Sequence, residues 1–283
     1  VIEGSRPGVA KRLSADYHTL SSQNPKLIYC SISGFGQNGP WQNRPGHDIN
    51  YLATSGYLGV QSAVEGKPWP PPILISDLAS GLYSAIAILA ATTGLQKSGN
   101  GTYIDLSMAD SALALLGPEL GRLNEKHHPA YPNVTHIPHY GIFPCSDGKW
   151  ITLGIVHDDH FWKRFCTVAN IGDLANLKFT ERLNRSDEII NTLSWVFLSK
   201  KAEDWEISLT DADVPAAKIT ELAEVFDSPQ FKARSSFIDI GIHQYVAQPA
   251  RLSNYPTSQV GRAPKLNEHR DIILKELHIP PNN

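Results

Sequence analysis

The sequence predicts an α/β protein built on a parallel sheet. Two β-branched and aromatic runs, Lys26–Ser33 and Thr102–Ser107, read as strands. The stretches around them carry apolar or small residues at helical spacing, and this strand–helix alternation over residues 1–120 is the pattern of a parallel sheet. At 283 residues the chain can hold one large domain or two modest ones. With 41% apolar and 19% charged residues it reads as soluble and globular. A formal charge of −3 gives no basic field and argues against a nucleic-acid partner. Cys30, Cys145 and Cys166 are widely spaced, which suits a reducing compartment and argues against a disulfide framework or a thiolate metal site. No apolar run reaches the length of a membrane span, the longest lying near Ala85–Ala91, so no membrane partner is expected.

Taken in order, Val1-Ile2-Glu3 reads like the end of a strand, and the natural N-terminus is expected to be missing. Pro7–Leu20 reads as a helix. The first strand then ends in the loop Gly34–Pro40. His47–Gly56 begins a further helix, because Ile49, Leu52 and Ala53 recur at i, i+3, i+4. The apolar run Ile73-Leu74-Ile75 leads to Asp77 and a small-residue helix over Leu78–Leu95, closed by the turn Gly99-Asn100-Gly101. After the second strand a helix runs from Ala109 toward Leu123. Residues 124–136 have linker composition, broken by Pro129 and Pro132. Tyr140–Lys149 and Trp150–Gly154 form a hairpin around an Asp-Gly turn. Residues 159–170 and 184–226 read as helices, with stripes Phe161, Phe165, Val168 and Ile189, Leu193, Val196, Leu198. Pro249–Pro264 is again extended, and Glu268–Leu277 forms a last helix.

Asp77 is the most informative single residue. A carboxylate at a helix start meets the positive end of the helix dipole and unpartnered backbone N–H groups. It is therefore expected to be ionised and oriented, as a nucleophile or proton acceptor must be; a plain helix cap fits the same position. His47, preceded by Gly46 and followed by Asp48, stands at another helix start, where glycine lets the backbone approach a ligand. The loop Gly34–Gly39 lacks both standard phosphate-cradle spacings. Arg6, Arg12 and Arg44 flank these loops and suit phosphates. His157-Asp158-Asp159-His160 has ligating residue types but no metalloprotease spacing, and reads better as a solvated helix start. His127, His128, His136 and His139 are weaker candidates, and no metal site is expected. The absence of Gly-x-Ser-x-Gly removes the usual serine hydrolase reading.

Several long motifs carry a resemblance. Arg6-Pro-Gly-Val-Ala10, Pro25–Pro40 with its Ser33-Gly-Phe-Gly-Gln-Asn-Gly-Pro40 ending, Asp77-Leu-Ala-Ser-Gly-Leu82 and Lys97–Asp110 resemble the class III CoA-transferase family, the CaiB/BaiF type. Tyr140–Lys149, Val214–Pro229 and Ala263–Arg270 are similar to its smaller domain and its C-terminal return. The family includes formyl-CoA, carnitine-CoA and bile-acid-CoA transferases and the α-methylacyl-CoA racemases, and Gly46–Leu52 resembles the racemase form of the active-site segment.

The resemblance implies a doubly wound large domain over residues 1–123 and a smaller α/β domain over 139–230. Linkers at 124–138 and 231–264 join them, and 265–283 return to the large domain. It implies an interlocked homodimer, with the first strands and much of the adenine site in the missing N-terminus. The implied activity is CoA transfer from an acyl-CoA to a small carboxylic acid through covalent intermediates on Asp77. CoA thioester is then substrate rather than a resident cofactor, and Arg6, Arg12, Arg44, Gly46, Asp48 and Tyr51 are implied around it. The start of the Asp77 helix is expected to supply donors for the developing oxyanions. The alternative is a racemase in which His47 and Asp77 exchange the α-proton. Gly154-Ile-Val-His157-Asp158 stands where racemases carry Glu-Pro, which favours the transferase. A cytoplasmic location is expected, with a mitochondrial or peroxisomal address open.

Overall fold

The computed structural model describes residues 1–124, 137–255 and 261–280, without the side chains of 63–65 and 122–124. By its internal contacts the chain divides into two compact units, Val1–Asn133 and Val134–Asn283.

In the first unit β1 (Ile2–Glu3), β2 (Ile28–Ser33) and β3 (Thr102–Ser107) form a parallel sheet in that order. The register pairs Ile2 with Cys30 and Ile28 with Thr102. The expected α/β class and parallel sheet are therefore present. Gly101 admits β3 to the sheet, since a Cβ there would fall 2.0 Å from the Leu27 carbonyl oxygen. The helix expected over Pro7–Leu20 is two short ones, α1 (Val9–Arg12) and α2 (Tyr17–Gln23). Ser14 turns left-handed between them (φ 53), and Asp16 restarts the helix by accepting from the Thr19 N–H at 3.3 Å and its hydroxyl at 2.7 Å.

Between β2 and β3 run α3 (Asp48–Ser55), α4 (Tyr57–Glu65) and the 24-residue α5 (Ile75–Ser98). Beyond β3, α6 (Met108–Ala114) and α7 (Gly117–Asn124) replace the single helix expected from Ala109. Pro118 explains the break, because it has no N–H for the carbonyl four residues earlier and its ring clashes there. α5 packs against β2, β3, α3 and α6. It buries its small side, Ser76, Ala79, Ser80 and Ser84, and leaves Leu78, Leu82, Ile86 and Leu89 exposed. An 18-residue stretch of it has a mean hydropathy of 1.6, so by length and composition alone it is long and apolar enough to cross a membrane. That corrects the expectation of no such segment: interleaved serines and threonines hid it from a search for unbroken apolar runs.

The second unit holds the sheet β4 (Tyr140–Pro144), β5 (Trp150–Gly154) and β6 (Ala216–Lys218), antiparallel throughout. The expected hairpin is present, with left-handed Gly148 in its turn (φ 75). α8 (Asp159–Val168), α10 (Ser186–Phe197) and α11 (Ala202–Asp211) share a core with the sheet, and α9 (Phe179–Asn184) packs on α10. β6 corrects the reading of 184–226 as helical. Pro215 ends that pattern, and Ala216–Lys218 pair with Leu153–Ile151 instead.

The second core is aromatic. Phe143 stacks on Phe197 at 5.0 Å, and Phe197 meets Trp205 edge-on at 5.2 Å. Trp162 and Trp205 are fully buried and donate their indole N–H to the Leu174 and Phe197 carbonyls at 2.8 and 2.9 Å. Of the expected stripe, Ile189 and Leu193 are buried and Val196 packs half-buried against the core, whereas Leu198 is exposed and Phe197 takes the buried place beside it. Within residues 231–264 lies a further hairpin, β7 (Phe237–Ile240) with β8 (His243–Val246). The last helix is α12 (Arg270–Glu276).

Candidate active site at the strand ends of the first unit

Parallel strands deliver their C-terminal ends to one edge, the usual place for ligands in such sheets. Here a cavity of about 480 Å³ opens at that edge. Gly4 and Ser5 follow β1 into it, Ser33 and Gly34 end β2, and Met108 follows β3. The segment Gln42–Tyr51 forms the facing wall. Of the residues singled out from sequence, Arg6, Arg44, Gly46, His47 and Tyr51 line this cavity together. Arg12, exposed on the last turn of α1, is not in the lining, and neither are Asp48 and Asp77.

The wall is built around Tyr51. Its ring is buried against Gly34 and Gly46, where an added Cβ would fall 2.5 Å from the Tyr51 hydroxyl and 2.7 Å from its Cε1, respectively. The hydroxyl donates to the Gly46 carbonyl at 2.7 Å. Gly46 thus makes room for a side chain of its own chain as well as lining the cavity. Arg44 lays its guanidinium over Trp41 and Phe35, at 5.3 and 5.8 Å from the ring centres. His47 is exposed and precedes α3, where its N–H donates to Asn50 Oδ1 at 3.0 Å.

Asp77 is the third residue of α5, not its cap; Leu74 occupies the cap position and offers no side-chain acceptor. The acceptor comes from α3. Asp48 Oδ1 takes the Ser76 N–H at 2.7 Å, the Asp77 N–H at 3.2 Å and the Ser76 hydroxyl at 2.6 Å. Asp48 is 7% exposed and braces the first turn of α5 from a buried position. Two N–H groups expected to serve an oxyanion are thereby occupied. Asp77 itself is half-buried, and its carboxyl is raised above 3.8 by burial first and then by the nearby Asp48 charge, with His47 pulling it down.

Sequence reasoning missed Ser33. The residue is part of the cavity lining, and its buried hydroxyl finds no partner among the described residues. Nothing in a serine at a strand end marks it beforehand. A second network secures the loop after β2. Asp105 on β3 accepts the Gln37 N–H at 3.1 Å with each carboxylate oxygen, and Gln37 Nε2 donates to Ser31 at 2.8 Å. Ser31 in turn donates to Glu3.

None of the described histidine candidates of the second unit is in the cavity lining. Asp159 pairs with Arg182 at 2.8 Å and Lys178 at 3.2 Å, while His157 and His160 are exposed. Among the described residues no group of three potential ligands could hold a metal. His139 is fully buried: Nδ1–H donates to the Ile155 carbonyl at 2.9 Å, and Nε2 accepts from Arg182 Nε at 2.6 Å. His127, His128 and His136 lie outside the described residues.

Comparison with known proteins points one way. The sequence model of "CoA-transferase family III" matches residues 1–270. The succinate–glutarate CoA-transferase of Agrobacterium fabrum is 31% identical over 98% of this chain and 72% of its own length. The acetyl-CoA:oxalate CoA-transferase of Acetobacter aceti is 30% identical over 98% and 73%. Among solved structures, a CaiB/BaiF family protein from Brucella suis superimposes with a TM-score of 0.84 at 30% identity, covering 98% of this chain and 75% of that one.

Proposed function

The chain belongs to CoA-transferase family III, and from that premise we propose that it exchanges CoA between an acyl-CoA and a carboxylic acid, with Asp77 as nucleophile. The observation that carries the reading is the half-buried, upward-shifted Asp77 carboxylate held at the start of α5 beside His47. A less solvated carboxylate is a stronger nucleophile, and its fixed first turn limits the search for an attack geometry.

The sequence of bonds is as follows. An Asp77 oxygen attacks the thioester carbonyl and CoA leaves as thiolate, forming a mixed anhydride. The thiolate attacks the Asp77 acyl carbon and expels the donor carboxylate, leaving an aspartyl-CoA thioester. The acceptor carboxylate attacks that thioester, again releasing CoA thiolate. The thiolate finally attacks the acceptor's acyl carbon, giving the new acyl-CoA and free Asp77. Arg6 and Arg44 at the cavity supply cations for CoA phosphates or a substrate carboxylate. The relatives' names include succinate, glutarate and oxalate, which supports a short dicarboxylate as one substrate. The doubly wound domain, the C-terminal return and an interlocked homodimer complete the reading.

Turnover of succinyl-CoA with glutarate labelled with ¹⁸O in its carboxylates, run in D₂O, tests it. One labelled oxygen should appear on Asp77, and no deuterium at an α-carbon. Asp77→Ala should lower kcat on the order of 10³-fold or more. An unlabelled Asp77 after many turnovers would sink the covalent route, and α-deuteration would favour the racemase.

A further inference from the structure

Asp48 belongs to a different helix from Asp77, yet it performs the capping that α5 does not perform for itself. One carboxylate oxygen receives two consecutive backbone N–H groups and a hydroxyl from the first turn of α5, all within 3.2 Å. The Ser76 hydroxyl also lies 3.4 Å from the Asp48 carbonyl oxygen. Both Asp48 and Ser76 are buried, so water does not compete for these bonds. A short hydrogen bond from charged acceptor to backbone is about twice as strong as a neutral one. Beside Asp48 in the chain, His47 stands in the cavity lining. One dipeptide thus contributes an imidazole to the cavity and an anchor to the helix that presents Asp77.

We propose that Asp48 is a positioning residue: it fixes the first turn of α5, and through it the Asp77 carboxylate, relative to the His47 wall of the cavity. This rests on Asp77 being the nucleophile. Asp48 has a second effect, because its charge opposes ionisation of Asp77. The titratable groups that act on Asp77 are Asp48 and His47 from α3, with Tyr51 of the same helix coupled to it. Asp105 and Tyr103 on β3, Tyr29 and Cys30 on β2 and Asp110 on α6 belong to the other elements packed on α5 and do not figure among its influences.

Two substitutions separate anchor from charge. Asp48→Asn keeps an oxygen for the two N–H groups and removes the charge; Asp48→Ala removes both. Hydrogen–deuterium exchange at Ser76 and Asp77 should stay slow in Asp48→Asn and accelerate at least tenfold in Asp48→Ala. In steady state, Asp48→Ala should lose kcat at least tenfold with KM for succinyl-CoA within about twofold of the parent. The acid limb of the kcat profile should move to lower pH in Asp48→Asn. Unchanged exchange in Asp48→Ala, or a raised KM with kcat intact in both variants, would overturn the proposal; the latter would make Asp48 a ligand contact. Full activity in Asp77→Ala alongside the expected exchange pattern would strike the nucleophile reading alone and leave the Asp48 anchor standing.

Discussion

The two units solve burial in opposite ways. The second buries large apolar rings, and its only buried polar side chains among the described residues are His139 and Arg182. The first buries Ser31, Ser33, Asp48, Ser76, Ser80, Ser84, Ser107 and Ser111, while Leu78, Leu82, Ile86 and Leu89 of α5 face outward. Apolar burial supplies stability in proportion to area, so the second unit carries the stronger core of its own. Small residues let α5 approach the sheet closely, and buried polar groups give fixed hydrogen-bond geometry. The difference separates a stabilising core from a core arranged around chemistry.

The comparison is broken most directly by truncating the aromatic core. Trp205→Ala should cost about 3–5 kcal/mol and speed exchange throughout residues 140–218, because a cavity and an unpartnered Phe197 carbonyl both result. Loss confined to the neighbours of Trp205, with the global stability of the unit intact, would contradict a single cooperative core.

A smaller effect distinguishes His139, the one buried histidine among the described residues of the second unit. Burial pushes His139 down from 6.5 to about 4. Between those values the unfolded chain binds the proton and the folded one does not, so stability must rise with pH. The slope approaches about 1.4 kcal/mol per pH unit and flattens above 6.5. Denaturation of His139→Gln between pH 4 and 7 should lack that slope; an identical slope in the variant would reassign it to another group.

The smallest effect sharpens the functional side. Asp77 is raised by burial and by Asp48, so its ionised form opposes folding. That contribution favours stability below 3.8 and is lost as pH rises through the folded value. Asp77→Asn should therefore melt roughly 1–2 °C higher than the parent at pH 7, with the gain fading toward acid. A lower melting temperature would mean that Asp77 stabilises its helix.

Much of the architecture was legible because it depends on local pattern. β2, β3, the β4–β5 hairpin and α5 follow from β-branched runs, an Asp-Gly turn and helical spacing. The errors share one cause, which is that a pattern continues in sequence where a single residue stops it in space. Ser14, Pro118 and Pro215 each divide a segment that periodicity joined. Likewise Phe197, one residue from the expected Leu198, takes the fully buried place, stacked on Phe143.

Sequence alone determined the α/β class, the family resemblance and the choice of Asp77 and His47, since motifs and periodicity are local properties of a chain. Tertiary structure decided what surrounds them. Asp48 reaches Ser76 across 28 residues, Tyr51 fills the room left by Gly34 and Gly46, and Ser33 keeps a buried hydroxyl without a partner among the described residues. The rise of the Asp77 carboxyl follows from the same packing. Burial and hydrogen-bond partnership are set by atoms brought together from distant segments, and no residue carries them before the chain folds.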